Sequence, residues 1–218
     1  MSPFLFLALE VAAIAGQDGA AYVQQVSARG AATIVQTGTG NSASVTQSGG
    51  SLNASVQQGG AGNRATVNQG GTQLHAAIRQ SGAGNDVVLT QRGTSADAAL
   101  LQDGTGNAAA VHQSGSGRLN TIAAQQAGAG NSLDLTQAGE GNAFAAVQRG
   151  SDNAGRITQT GSSNDFAVAQ TGDRNSLDYT QAGHDTGSVV QQGRGLALSI
   201  NQGAGAAPVA IVQTGSGR

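Results

Sequence analysis

Cysteine, lysine and tryptophan are absent from the chain, proline occurs twice and aromatic residues make up 3% of it. Without cysteine there is no disulfide framework and no thiolate metal site. With so few large side chains, an ordinary globular core has little to fill it. The 10 basic residues are all arginine and are spread singly, so no basic stripe suggests nucleic acid. Charged residues reach 10% and apolar residues 38%, which excludes a highly charged disordered tail. What fills the chain instead is 35 Gly, 24 Gln and 13 Asn among 218 residues. That composition points to a repeat or an aggregating polymer.

The start differs from the rest. Phe4 to Ala15 is an apolar run of the length of a signal-peptide core, and Ala13-Ile14-Ala15 offers a cleavage site before Gly16. Glu10 interrupts the run and no basic residue precedes it, as in a signal whose basic start is missing. Residues 1–15 are therefore expected to be a truncated signal peptide, 16–24 a leader and first strand, and 25–218 the repeat domain. The alternative for the first segment is a short apolar strand. It is too short for a membrane-spanning helix, which needs ~20 apolar residues.

Glutamine recurs every 11 residues at Gln25, Gln36, Gln47, Gln58, Gln69, Gln80, Gln91, Gln102 and Gln113. After a 13-residue step it resumes at Gln126, Gln137, Gln148, Gln159, Gln170, Gln181 and Gln192, and a 10-residue step then leads to Gln202 and Gln213. In fifteen of these eighteen units Gly follows two residues later. Six residues before the Gln stands Asn41, Asn63, Asn85, Asn107, Asn120, Asn131, Asn142, Asn153, Asn164 or Asn175. In the first half Asn alternates with Leu52, Leu74 and Ala96, so the true period there is 22 residues.

Within a unit the residues two and four after the Asn slot are apolar, as in Ala43/Val45, Ala65/Val67, Val87/Leu89 and Phe166/Val168. Those between are polar or small. This alternation predicts a half-buried strand of about seven residues, with Asn, two apolar residues and Gln on the inner face. The Gly-rich tetrad that follows tolerates positive φ and reads as a turn. Charges fit this frame: Arg64, Arg79, Asp86, Asp97, Asp134, Arg156, Asp165 and Asp178 take the outward parity. Arg92, Asp103, Glu140, Arg149, Asp152, Asp173, Arg174 and Asp185 fall in turns, leaving none on the inner face.

The expected fold is all-β, a two-sheet parallel β-solenoid of about nine 22-residue strand-turn-strand repeats, or eighteen short strands. Rungs stacked ~4.8 Å apart make a body roughly 43 Å long. Inward amides are then expected to form ladders that penalise register slips, since an unpaired buried amide costs ~1–3 kcal/mol. A membrane barrel is rejected: the outward face is polar and aromatic girdles are missing.

The unit Asn131-x5-Gln137-x-Gly139-x-x-Asn142-x5-Gln148 resembles the curlin repeat of bacterial curli subunits. Asn107, Ala109 and Gln113 match the second half of that motif, as do Asn41, Ala43 and Gln47. The resemblance covers roughly residues 20 to 215. It implies a secreted subunit of an amyloid fibre at the bacterial cell surface, in biofilm matrix and adhesion. It also implies partnership with itself, with another curlin-type subunit as nucleator or major component, and with an outer-membrane secretion apparatus. The leading Ser of the motif is mostly replaced, and Ser116-Gly117-Arg118-Leu119 breaks the phase once.

No catalytic, metal or cofactor site is expected. His75, His112 and His184 occupy different phases, so stacking does not align them. Asp134 and Asp178 share an outward phase 44 residues apart, and outward charge on an aggregating strand reads as a gatekeeper. Gly128-Ala129-Gly130 precedes no helix, so it is no phosphate loop. Phe144 and Phe166 read as core stacking. The alternative function is a soluble secreted β-solenoid binding module for ice or carbohydrate. Its flat regular array is opposed by varied outward triplets such as Ser42/Ser44/Thr46 and Arg64/Thr66/Asn68.

Overall fold

The computed structural model describes residues 14–27 and 29–216, and every regular element among them is a β-strand. In chain order these are β1 (Ile14–Gln17), β2 (Ala20–Ser27), β3 (Gly30–Thr39), β4 (Ser42–Ala61), β5 (Arg64–Ala83) and β6 (Asp86–Thr105). There follow β7 (Ala108–Gly115), β8 (Asn120–Ala129), β9 (Ser132–Glu140), β10 (Ala143–Ser151) and β11 (Ala154–Ser162). The chain closes with β12 (Asp165–Asp173), β13 (Ser176–Ala182), β14 (Thr186–Arg194), β15 (Ala197–Gln202) and β16 (Val209–Ser216). β4, β5 and β6 each run 20 residues through a corner and supply two arms. Counted by arms, β2–β16 make eighteen, two for each of nine rungs among the described residues.

All pairings are parallel and join one rung to the next. Sheet one stacks β2, the first arms of β4–β6, then β7, β9, β11, β13 and β15. Sheet two stacks β1, β3, the second arms of β4–β6, then β8, β10, β12, β14 and β16. Partners are 22 residues apart, as in Val45↔Val67. The offset grows to 24 where two extra residues are accommodated within Ser116–Leu119, as in Ala108↔Ser132, and shrinks to 21 at Asp165↔Thr186 and Ser176↔Ala197. This is the two-sheet parallel solenoid that the 22-residue period predicts.

Two backbone facts fix the stacking. Inward residues such as Val45, Val67, Leu89 and Leu135 are fully buried between the sheets, and their outward neighbours are not. At the corners, the Gly two residues after the inward Gln has no room for a side chain. Gly60 has φ 108°, and a Cβ there would collide with the carbonyl oxygen of Gly82 one rung on. Toward the C-terminal end the core holds an aromatic stack. Phe144 and Phe166 have ring centroids 6.0 Å apart, and Phe166 and Tyr179 3.7 Å apart at 12°. Gly187 makes this possible, because a Cβ at that position would strike the Tyr179 hydroxyl.

Of the expected signal peptide, residues 1–13 lie outside the described residues. Ile14–Gln17 pair with the second half of β3, Ile14 beside Gln36.

Candidate functional site

The chemistry of this chain lies in its interior columns and its two ends. Gln36, Gln47, Gln58, Gln69, Gln80, Gln91, Gln102, Gln113, Gln126, Gln137, Gln148, Gln159, Gln170 and Gln181 are all buried on the inner face. In sheet one Gln25 Nε2 donates to Gln47 Oε1, Gln47 to Gln69, and so on to Gln202, at 2.7–3.4 Å. In sheet two the same bonds run from Gln36 to Gln213 at 2.7–3.0 Å. The donor always belongs to the earlier rung, so both ladders have one direction. The second amide hydrogen crosses the interior to the opposite sheet: Gln47 Nε2 reaches the Ala31 carbonyl at 3.2 Å and Gln80 the Arg64 carbonyl at 2.8 Å.

Asn41, Asn63, Asn85, Asn107, Asn131, Asn153 and Asn175 are buried in sheet one, and Asn120, Asn142 and Asn164 in sheet two. These amides pin the corners. Asn63 Nδ2 donates to the carbonyls of Gly59 and Gly82, both at 3.1 Å, and to Asn41 Oδ1 at 3.1 Å. Asn63 N–H also donates to Asn41 Oδ1, at 3.0 Å. Here the donor belongs to the later rung, so the Asn columns run opposite to the Gln columns. In rungs two to four of sheet two the slot holds Leu52, Leu74 and Ala96, which form a small apolar cluster of their own.

The structure corrects the register near the C-terminal end. The residue that continues the sheet-two ladder is Gln191, fully buried and accepting from Gln170 at 2.8 Å; Gln192 is exposed. The short step therefore falls between Gln181 and Gln191 rather than between Gln192 and Gln202. A signal for this stands in the sequence: Gly193 lies two residues after Gln191, completing the glycine column that Gln192 leaves broken. The shift overturns a second expectation. Six residues before Gln191 stands Asp185, which is not a turn residue but fills the inward Asn slot, 1% exposed. Neither of its carboxylate oxygens has a hydrogen-bond partner among the described residues. Next to this corner the Tyr179 hydroxyl donates to Gln202 Oε1. Burial first, and the Asp185 charge second, push the Tyr179 pKa up to about 12.

The two ends differ. At the N-terminal end Gln25 Oε1 and Gln36 Oε1 are buried without a partner among the described residues. At the C-terminal end Gln202 and Gln213 hold the donor side of the same ladders, with no rung beyond them among the described residues.

The polar side chains considered for catalysis are not brought together. His75 and His112 sit outward on different sheets, and His184 lies at a corner, 3.2 Å from Ser162. Asp134 and Asp178 flank Arg156 in adjacent rungs, with Arg156 Nη2 3.8 Å from Asp134 Oδ2. Three segments match the curlin associated repeat: residues 31–60, 60–93 and 142–172, which fall on rungs one to four and six to seven. No curated protein matches the chain at a significant level.

Proposed function

We propose that the chain, three segments of which match the curlin associated repeat, is a structural subunit of an extracellular curli-type amyloid fibre. The fibre grows by seating the last rung of one copy on the first rung of the next. The observation that carries this reading is the direction of the glutamine ladders. Gln25 Oε1 and Gln36 Oε1 are orphaned acceptors at one end. At the other, Gln213 Nε2 donates only to the Ala197 carbonyl among the described residues. Gln202 Nε2 donates to the Thr186 and Ala207 carbonyls and exchanges Ala207 for Gln25 of the next copy. A buried carbonyl left unpaired costs ~1–3 kcal/mol, and a second copy supplies the missing donors in the same geometry that joins every internal pair. Exposed strand edges at both ends add the backbone bonds of a parallel ladder.

In backbone register Ile14 pairs with Gln36. Cleavage of a signal peptide before Gly16 removes it and leaves Gln36 open to an incoming Gln213. The subunit's principal partner is then itself, joined in the biofilm matrix by another curlin-type subunit that nucleates or dominates the fibre. Export through an outer-membrane secretion apparatus completes the scheme. A soluble ice- or carbohydrate-binding solenoid needs a regular outward array. The best column, Thr46, Asn68, Thr90, His112, Thr136, Thr158, Thr180 and Asn201, is interrupted by His112 and by two Asn.

The test is assembly of the purified protein beginning at Gly16, at neutral pH. Thioflavin-positive fibrils with a ~4.8 Å meridional reflection are expected. A protein that stays monomeric at high concentration over days overturns the reading.

A further inference from the structure

The two sheets share a period but present different outer surfaces. The outward column three residues after the slot in sheet one runs Thr66, Val88, Ala110, Asp134, Arg156, Asp178. In sheet two the same column is Ala77, Ala99, Ala123, Ala145 and Ala167, five exposed alanines in unbroken register. Beside it, two residues further along each strand, stand Arg79, Leu101, Gln125, Val147, Ala169, Val190 and Val212. Ala77, Ala99, Ala123 and Ala145 are the floor of a groove of about 540 Å³, and Arg79, Leu101, Gln125 and Val147 stand along its side. Val190 and Val212, further along the same column and outside that groove, are 39% and 73% exposed.

We propose that this face is a lateral interface between two copies of the chain, sheet two against sheet two. The axes run parallel and the strands antiparallel, so that the Leu101–Ala169 stretch of each copy's ridge lies along the Ala99–Ala167 row of the other.

Three physical points select a second copy. The occupant of the groove must present side chains in a row at the rung spacing of ~4.8 Å, and the neighbouring ridge of another solenoid does so without strain. Groove and ridge lie side by side on one face, so a two-fold axis between them places each ridge in the other's groove at once, an isologous contact. The area suffices: nine rungs by a seven-residue arm give roughly 850 Å² per copy, against the ~800 Å² per partner of a stable interface. The opposite choice, axes antiparallel about the alanine row, sets two hollows face to face and leaves a void. Parallel axes also keep every glutamine ladder pointing the same way, so pairing side by side does not obstruct joining end to end.

The absence of cysteine makes the test clean. Copies carrying Ala145→Cys are mixed with copies carrying Val147→Cys under mild oxidation. Mixed disulfides are expected to dominate over either homodimer, whereas the equivalent sheet-one pair, Asp134→Cys with Thr136→Cys, gives none. In assembled fibres Ala145→Glu should halve the mass per unit length while thioflavin binding persists. Mixed cross-links no more frequent than those of the sheet-one pair, or a mass per length that Ala145→Glu leaves unchanged, overturn the proposal. The cross-link is read on soluble protein, so it decides this interface even if the chain forms no fibre.

Discussion

Asp185 follows Asn164 in the inward column of sheet two and keeps half of the bonding pattern of that column. Its N–H donates to Asn164 Oδ1 at 3.3 Å, as the Asn164 N–H does to Asn142 Oδ1 at 3.0 Å. What it lacks is the amide hydrogen with which every Asn above it ties the corner carbonyls. Asn142 Nδ2, for example, reaches the Ala138 and Gly161 carbonyls at 3.3 and 3.1 Å. A carboxylate oxygen in that place faces acceptors with nothing to donate. Asp185→Asn restores the donor at constant volume, so it is expected to stabilise the C-terminal rungs by about 1–3 kcal/mol. The gain should appear as slower hydrogen exchange in β13–β16 and a higher urea midpoint. A variant less stable than the parent would show that the corner has a partner for the acid.

Corner glycines separate into two kinds, and substitution distinguishes them. Gly60→Ala meets both a positive φ and the Gly82 carbonyl of the next rung, and should cost roughly 2–5 kcal/mol. Gly62, at φ 65°, has no atom within 4 Å of a Cβ, so Gly62→Ala should cost only the left-handed backbone preference, about 1–2 kcal/mol. Equilibrium unfolding in urea measures both. Equal losses would mean that stacking places no demand on Gly60.

Most of the fold is legible in the sequence because one constraint repeats eighteen times. Period-two burial, the 22-residue register and the two extra residues within Ser116–Leu119 all follow from spacing. The reading slips at Gln191-Gln192, where two adjacent glutamines offer the same spacing to within one residue. In the earlier pairs Gln24-Gln25, Gln57-Gln58 and Gln125-Gln126 the second is the inward one, which biases the choice. At the fourth pair the first is inward, because the corner before it is one residue shorter. The ends are less legible. Ladder direction depends on which way each amide turns, and alternation of residue types carries no information about that.

Tyr179 gives the fold a pH limit on the alkaline side. Its pKa of about 12 exceeds the ordinary ~10, so the folded state holds the phenolic proton more tightly than the unfolded chain. That stability is fully present below pH ~10 and is lost as pH rises through ~12, on the order of 2–3 kcal/mol. Tyr22→Phe leaves Tyr179 as the remaining tyrosine, and its tyrosinate absorbance should titrate near pH 12. Adding Asp185→Asn removes the charge contribution and should lower that midpoint while burial keeps it above the ordinary value. A midpoint at the ordinary value in the parent would show that the aromatic stack opens to solvent.

The glutamine ladder can be interrupted without changing volume much. Gln47→Leu, Gln69→Leu and Gln91→Leu together remove three successive amides from sheet one. They also leave the Ala31, Asn53 and His75 carbonyls without the donors that reach them at 3.2, 3.1 and 2.9 Å. Each unpaired carbonyl costs ~1–3 kcal/mol, partly offset by the added apolar burial. The expected outcome is a lower urea midpoint together with a longer and more variable lag before fibril growth. Unchanged kinetics and fibril morphology would show that the ladder does not specify register.

Charge is distributed so that the ends differ from the middle. From Gly30 to Asn63 there are 34 consecutive residues without Asp, Glu, Lys or Arg, and from Gly195 to Gly217 there are 23 more. Arg64 to Arg194 holds 8 Arg and 10 acidic residues between them. Parallel stacking sets equivalent outward positions side by side, so a misregistered central rung brings like charges together. The native register places Asp134, Arg156 and Asp178 in alternation instead. The neutral tracts coincide with rungs one, two and nine, whose edges a second copy would join. Low charge with high strand propensity is what makes such edges competent to template. Peptides spanning 41–62, 164–185 and 195–216 separate the two behaviours. The first and third are expected to fibrillise with a shorter lag than the second, and added salt should narrow the gap by screening the central charges. If the charged peptide fibrillises as fast as the neutral pair at low ionic strength, charge placement does not direct assembly to the ends.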